Sequence, residues 1–334
     1  HALLHDLRAA MPHARVVAAP CMGACHRAPA CHVGHRLVER ASVGTILSPL
    51  PQAPLPKPPS LAEWRAQGGY RTMGGDSLAA VRKAGLRGLG GAGFPAARKW
   101  ELVAAQPGPR HMVVNADESE PGTFKDHLLM ERNPHLLVEG CLIGCHAIGA
   151  KAAYIYIRGE FYHLFPALQK AIDDARAAGY VGKNVLGTGF DCEVYLHRGA
   201  GAYEAGEETA LLDSLEGKRA QPRFKPPFPA VAGLWGCPTA VNNVETLCNA
   251  PLILTRGAEW FAALGPEKNG GPKLFCISGQ VKRPGVYEAP MKVSLKELIE
   301  VYAGGMRDGH TMKAVIPGGS SVPILLPDQI DIPA

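Results

Sequence analysis

Apolar and polar positions change period in blocks along the chain. Between Leu61 and about Ala250, short apolar runs that fit strands (HMVVNAD, AAYIYIRG and CEVYLHRG) alternate with segments of helical period, PHLLVEGCLIGCHAIGA and LFPALQKAIDDARAAG. Such alternation predicts a layered α/β domain over residues 61–250. Before it, residues 1–47 read as a small α/β segment: a helix (HALLHDLRAAMPHA), the strand ARVVAAP, the cysteine loop CMGACHRAPAC, then HVGHRLVER. The two are joined by Ser48–Ser60, with six prolines in thirteen residues. Proline lacks the amide hydrogen a ladder needs, so this run reads as a stiff extended linker and a domain boundary. From Pro251 the texture changes again. KLFCISGQVKRPGVYEAP reads as a hairpin around Arg283-Pro284-Gly285, followed by a short helix (SLKELIEVYAGG) and a strand (MKAVIPGG). Residues 251–334 are therefore expected to form a small β-grasp-like domain.

Composition narrows the function classes. A chain of 334 residues, 46% hydrophobic and 19% charged, can bury a real core in two or three domains. The 39 glycines and 29 prolines imply many tight loops. A net charge of +5, dispersed along the sequence, disfavours nucleic acid and points to anionic small ligands or an acidic partner. The most apolar stretch, His135 to Ile157, is broken by Glu139, His146 and Lys151, so no direct membrane insertion is expected. No signal peptide is visible, and the sequence opens inside what reads as a helix, so its native start is expected to lie upstream. Nine cysteines, an odd number scattered over a long chain, point to a reducing cytoplasm.

Four polar segments carry candidate chemistry. Gly88-Leu89-Gly90-Gly91-Ala92-Gly93 matches G-x-G-x-x-G, but a helical pattern precedes it where a dinucleotide fingerprint requires a strand. It still reads as a ligand loop, because it runs on into Phe94 and Lys99. Asn115-Ala116-Asp117-Glu118-Ser119-Glu120 follows the apolar run MVV, so its polar groups should gather at a strand's carboxyl end. Gly199 to Glu208 is glycine-rich and then helical. Lys218, Arg219, Arg223 and Lys225 follow as basic residues able to seat phosphates. Asn242, Asn243 and Thr246 add uncharged hydrogen-bonding groups.

In that order, GLGGAGFPAARKW, NADESEPGTFKD, GAYEAGEETALLDSLEGKRAQPRFKPPFP and GLWGCPTAVNNVETL resemble the NADH-oxidising flavoprotein subunits of respiratory complex I, NAD-reducing hydrogenases and NAD-dependent formate dehydrogenases. The resemblance spans roughly residues 65–330. It implies an α/β fold with a Rossmann-like FMN- and NADH-binding domain and then a β-grasp domain of soluble-ligand-binding type. Further on it implies a helical domain whose cysteines carry a 4Fe-4S cluster; no such cysteine run occurs before Ala334. Carried over, Gly88, Gly90, Lys99, Asn115, Asp117, Gly206, Glu207, Asn242, Asn243 and Thr246 would hold FMN. Phe94, Glu120, Glu208, Lys225 and Phe228 would hold NADH, with Phe94 and Phe228 stacking on adenine and Glu120 and Glu208 orienting the nicotinamide as the catalytic pair. No metal ligand is assigned. Leu89, Leu102 and Glu204-Ala205 depart from the family pattern.

Cys21-x-x-x-Cys25 resembles half the motif of thioredoxin-like 2Fe-2S ferredoxins, a resemblance that implies a thioredoxin-like fold for the first segment. With Cys31 it offers three of the four ligands a 2Fe-2S cluster needs, and the balance falls on a clusterless fold. Cys141, Cys145, Cys192, Cys237, Cys248 and Cys276 read as core thiols. Fusion of this segment to the flavin domain resembles the flavin subunits of formate dehydrogenases and hydrogenases, and Pro20-Cys21-Met22-Gly23 leading into Val33-Gly34-His35 favours the former. The expected function is a diaphorase subunit exchanging hydride between NAD and FMN and single electrons with iron–sulfur centres, in an NAD-dependent molybdenum formate dehydrogenase. The same role in complex I or a hydrogenase is the alternative. Expected partners are a 2Fe-2S thioredoxin-like subunit and a molybdenum or hydrogenase-type iron–sulfur subunit, in a hetero-oligomer. The rival of another class is a non-catalytic scaffold or ligand-binding subunit.

Overall fold

The computed structural model describes residues 2–19, 21–33, 36–47, 57–71, 75–319 and 321–334. The first segment holds α1 (Ala2–Ala10), the antiparallel pair β1 (Cys31–Val33) and β2 (Arg36–Val38), and α2 (Val43–Leu47). They gather around Leu7, Val38, Ala41 and Ile46. The strand expected over ARVVAAP does not form among the described residues, where that stretch joins no sheet; the β1–β2 pair supplies the segment's sheet. Of the linker, only residues 57–60 lie among those described.

The central domain begins at α3 (Leu61–Ala66), whose start is a reciprocal cap between Ser60 and Glu63. Then come α4 (Ser77–Ala84) and α5 (Ala96–Ala104), with the glycine loop between them, so helix precedes that loop as the sequence indicates. Next follow β3 (His111–Ala116), α6 (Asp126–Arg132), α7 (Pro134–Ile148), β4 (Ala152–Ile157), α8 (Phe165–Ala177), β5 (Glu193–Arg198), α9 (Glu208–Leu215), α10 (Pro229–Ala232), β6 (Thr239–Asn243), α11 (Val244–Arg256) and α12 (Ala258–Ala263). The four strands form one parallel sheet in the order β5-β4-β3-β6. Helix α7 is apolar on every side and almost wholly buried, as a central helix must be. Asn133 caps its start and left-handed Gly149 ends it. A Cβ on Gly140 would lie 2.4 Å from the Leu247 carbonyl oxygen, which lets α11 press against α7.

The third segment holds the antiparallel hairpin β7 (Pro272–Ile277) and β8 (Gly285–Pro290), then α13 (Leu295–Glu297). It has its own core of Phe275, Val281, Ala289, Val293, Leu298 and Ile299. The expected boundary at residues 250/251 falls inside α11. Pro251 is accommodated in that helix, while Ile253, Ala258 and Phe261 pack into the central core. The expected strand MKAVIPGG contributes a single bridge, Val315 to Leu325.

Candidate functional site

In this sheet the chain runs outward from β3 through β4 to β5, then returns to place β6 on the other side of β3. The carboxyl ends of β3 and β6 are thus a topological switch point, where open parallel sheets leave a crevice for ligands. Asn115, Asp117, Asn242 and Asn243 stand there. The glycine loop closes over the same place. The Gly88 amide donates to the Phe94 carbonyl at 2.9 Å and the Leu89 amide to Thr246 Oγ1 at 2.9 Å. Gly90 lies so near Asn243 that a Cβ there would meet the Asn243 Cβ at 3.0 Å. Thr246, fully buried, anchors the loop from below.

On the other side, Asn115 Nδ2 donates to the Gly206 carbonyl at 2.9 Å, and a Cβ on Gly206 would come within 3.7 Å of Asp117 Oδ2. The Asp117 carboxylate is buried and accepts from Ser119 Oγ at 2.8 Å. Burial pushes its carboxyl up to about 6, against the opposing pull of Ser119 and Arg158. Glu207 caps α9, accepting from the amides of Thr209 and Ala210 at 2.8 and 2.9 Å. Burial would raise its carboxyl, but Thr209, Lys225 and the helix amides outweigh burial and lower it. Glu208 sits between two cations, 3.6 Å from Lys99 and 3.3 Å from Lys225, and Lys225 also binds Glu207 at 2.9 Å. Lys99 donates to the Val241 carbonyl at 2.8 Å. Glu120 accepts from the Tyr203 hydroxyl.

Thus Gly88, Gly90, Lys99, Asn115, Asp117, Gly206, Glu207, Glu208, Lys225, Asn243 and Thr246 converge on one crevice. Asn242 points elsewhere: its side chain accepts from Trp100 Nε1 at 3.3 Å and reaches Met112 Sδ, inside the core. Phe94 and Phe228 are exposed, each just before one of the mutually packed helices α5 and α10. The basic cluster is only partly available. Lys218 pairs with Glu216, and Arg223 with Asp213 and Glu216.

Three groups escaped the sequence reading. Arg158, 2% exposed, donates to the Glu118 and Cys21 carbonyls and pairs with Glu160; its place one residue past a strand's end was the available signal. Lys125 is buried between Asp126 and Glu245, each at 2.7 Å. Burial alone would lower its pKa, but the two carboxylates raise it and keep it charged. Phe224, 97% exposed beside Lys225, is an unspent aromatic on the rim.

The cysteine loop lies against this site. Cys21 and Cys25 bring their sulfurs to 3.6 Å, and Cys25 as hydrogen-bond partner is the main cause that pulls the Cys21 thiol down to about 5. Cys31 sits on β1 and packs into the first segment's core. No group of three His, Cys, Asp or Glu side chains has metal-binding geometry among the described residues. Nor is any helix among them long and apolar enough to cross a membrane.

The chain matches the family described as the Nuo51 FMN-binding domain over residues 81–252 and the SLBB domain over residues 273–330. The second match starts at the hairpin that opens the third segment's own core. Over 281 residues the chain is 51% identical to the second F-type subunit of the NADH-quinone oxidoreductase of Rhizobium meliloti (strain 1021), a match that covers 81% of this chain and 67% of that protein. The F-type subunit of the same oxidoreductase from Rickettsia felis (strain ATCC VR-1525 / URRWXCal2) is 59% identical over 247 residues, 73% of this chain and 58% of the relative. Among solved structures, a NAD+-reducing [NiFe]-hydrogenase in the H2-reduced state superposes with a TM-score of 0.85 at 36% identity, over 100% of this chain and 63% of that one. The chain therefore spans about three-fifths to two-thirds of the length of these relatives.

Proposed function

The chain belongs to the Nuo51 FMN-binding family, and from that premise we propose that it is the flavin-bearing, NAD(H)-dependent oxidoreductase subunit of a larger electron-transfer assembly. The observation that carries the reading is the convergence of the glycine loop, Asn115, Asp117, Gly206 and Asn243 on the sheet's switch point. The residues fit a flavin mononucleotide. Glycines leave room for a flat ring, and Asp117 is a buried acceptor with one side-chain donor, Ser119. Its unmet capacity suits the ring's imide or the ribityl hydroxyls. When bound, FMN accepts a hydride and passes its electrons on singly.

The chain's own residues bind and orient. Lys99 is fixed by the Val241 carbonyl and Glu208, so its charge is pre-positioned beside the crevice. Phe94 and Phe228 offer exposed faces to an adenine ring. Glu120, held by Tyr203, and Glu208, held by two lysines, present oriented acceptors for a carboxamide. No side chain need form a bond to substrate. Such positioning is worth more than any single contact, because it is complete before the reactants meet.

Within such an assembly the cytoplasmic molybdenum formate dehydrogenase remains our reading of the partner, on the Cys21–Cys25 loop sequence and its fusion to the flavin domain. An NAD-reducing hydrogenase is the second reading, favoured by a likeness that covers the whole chain, first segment included. In both, hetero-oligomeric partners carry the iron–sulfur centres. The first test is the visible spectrum of the purified chain with FMN, recorded anaerobically before and after NADH. Bleaching of the flavin band is expected. Flavin that binds but does not bleach would overturn the NADH site, and failure to bind flavin would favour the scaffold. Formate- against hydrogen-driven NAD+ reduction by the assembly purified from cells separates the two partner readings.

A further inference from the structure

We propose that Cys21 and Cys25 are a reversible dithiol–disulfide pair, a redox-modification site clamped onto the loop that carries Glu118 and Glu120. The two sulfurs already stand 3.6 Å apart and are half-buried, so a small thiol reagent reaches them. Left-handed Gly23 (φ 68°) lies in the turn between them. Cys31 lies on β1 and packs against the first segment's core.

What makes the pair more than an isolated couple is its seat. The Gly122 backbone faces both sulfurs and favours their thiolate forms. Arg158 ties the Cys21 carbonyl to the Glu118 carbonyl, and His26 stacks on Phe124 with ring centroids 4.6 Å apart. The loop over residues 118–124 is thus gripped by the cysteine loop at three points. Closing the sulfurs to bonding distance, about 2.05 Å, shifts the cysteine loop against residues 118–124 and loosens the loop that holds Glu120.

The chemistry is thiol–disulfide exchange with a small external disulfide such as glutathione disulfide. The Cys21 thiolate attacks one sulfur of that disulfide, and one glutathione thiolate leaves. Cys25 then gives up its proton and attacks the Cys21 sulfur of the mixed disulfide, expelling the second glutathione. Two protein thiols are oxidised and one external disulfide is reduced to two thiols.

The test uses the whole chain, reduced anaerobically, then equilibrated in glutathione redox buffers, alkylated and mapped by mass spectrometry. Expected are one disulfide joining Cys21 to Cys25 with loss of two hydrogen masses, reversal by dithiothreitol, and a trapped glutathione adduct on Cys21 in Cys25→Ser. The KM for NADH is expected to rise about fivefold on oxidation, the scale of one lost polar contact. The mass readout does not depend on NADH being the substrate, so it tests the pair even where the proposed function fails; in a chain that does oxidise NADH, an unchanged KM with an intact disulfide would overturn the clamp on the Glu120 loop. Thiols that stay alkylatable in every buffer would overturn the proposal. So would a bond from Cys25 to Cys276, or iron that co-purifies and is lost in Cys21→Ser.

Discussion

Replacing Asp117 with Asn separates what the site's carboxylate costs the fold from what it gives the ligand. Burial lifts this carboxyl from its usual 3.8 to about 6, a shift equivalent to on the order of 3 kcal/mol. A carboxyl whose folded pKa is raised holds its proton more tightly in the folded chain. Its contribution to stability is therefore full below pH 4 and is lost as pH rises through 6. At neutral pH the flavin-free protein carries an ionised, under-solvated Asp117, so Asp117→Asn is expected to be the more stable protein in urea. FMN should report the opposite sign. If the ring's donors engage the carboxylate, binding favours the ionised form and releases a proton. Wild-type affinity then falls about tenfold per pH unit below 6. The assay is quenching of flavin fluorescence on titration, on both sides of pH 6. Because the FMN phosphate titrates in the same range, the informative quantity is the difference between wild type and Asp117→Asn. The variant is expected to lose the extra slope and to bind about tenfold or more weakly at pH 7.5, the worth of a charge-assisted hydrogen bond. Equal slopes in the two proteins, or a variant less stable than wild type at neutral pH, would refute the reasoning.

Glu208→Gln, which removes the charge between Lys99 and Lys225, should slow NADH-dependent flavin reduction about tenfold while FMN stays bound; stopped-flow rates equal to wild type would take Glu208 out of that role. Phe94→Ala and Phe228→Ala should each raise the KM for NADH roughly threefold to tenfold with little change in kcat, by loss of an aromatic stack. Because both rings are exposed, their melting temperatures should match wild type; a lowered melting point would show a packing role instead. Lys125→Met leaves Asp126 and Glu245 buried without their cation, and urea unfolding should show a loss of about 3–5 kcal/mol.

Much of the site was legible because its motifs are local. The glycine loop, the acids after β3 and the run from Gly206 to Glu208 each follow a recognisable change of period, and the switch point then collects them. What escaped depends on direction and on distance along the chain. Asn242 and Asn243 are adjacent in a strand, so their side chains must face opposite ways; one lines the crevice and the other bonds Trp100. Arg158 acts on residues 40 positions before it and on Cys21 still further away, and no periodicity links such points. The boundary expected near residue 250 from the change of texture lies inside α11, which carries Pro251 within its helix next to α7, so the change of pattern starts before the fold's own seam. Leu102 and the Glu204-Ala205 pair mark departures from the family motif, yet Ala205 is buried and the turn that carries it is intact.

Glu245 has a consequence for how such proteins can be recombined. One of its oxygens accepts the Leu274 amide at 2.7 Å, at the start of the SLBB hairpin, and the other meets Lys125, while its own amide is held by Asn243. The two family modules are therefore spliced through a carboxylate that one contributes and the other's backbone completes. In a chimera that grafts a foreign SLBB unit after residue 271, this one contact survives with any non-proline residue at position 274, because the carboxylate takes only a peptide N–H from it; the Phe124 amide, which donates to Cys276 Sγ at 3.2 Å, still needs an acceptor there. Replacing the central module while keeping this SLBB unit is harder, since Lys125, Asp126, Asn243 and Glu245 must travel together as one heritable set.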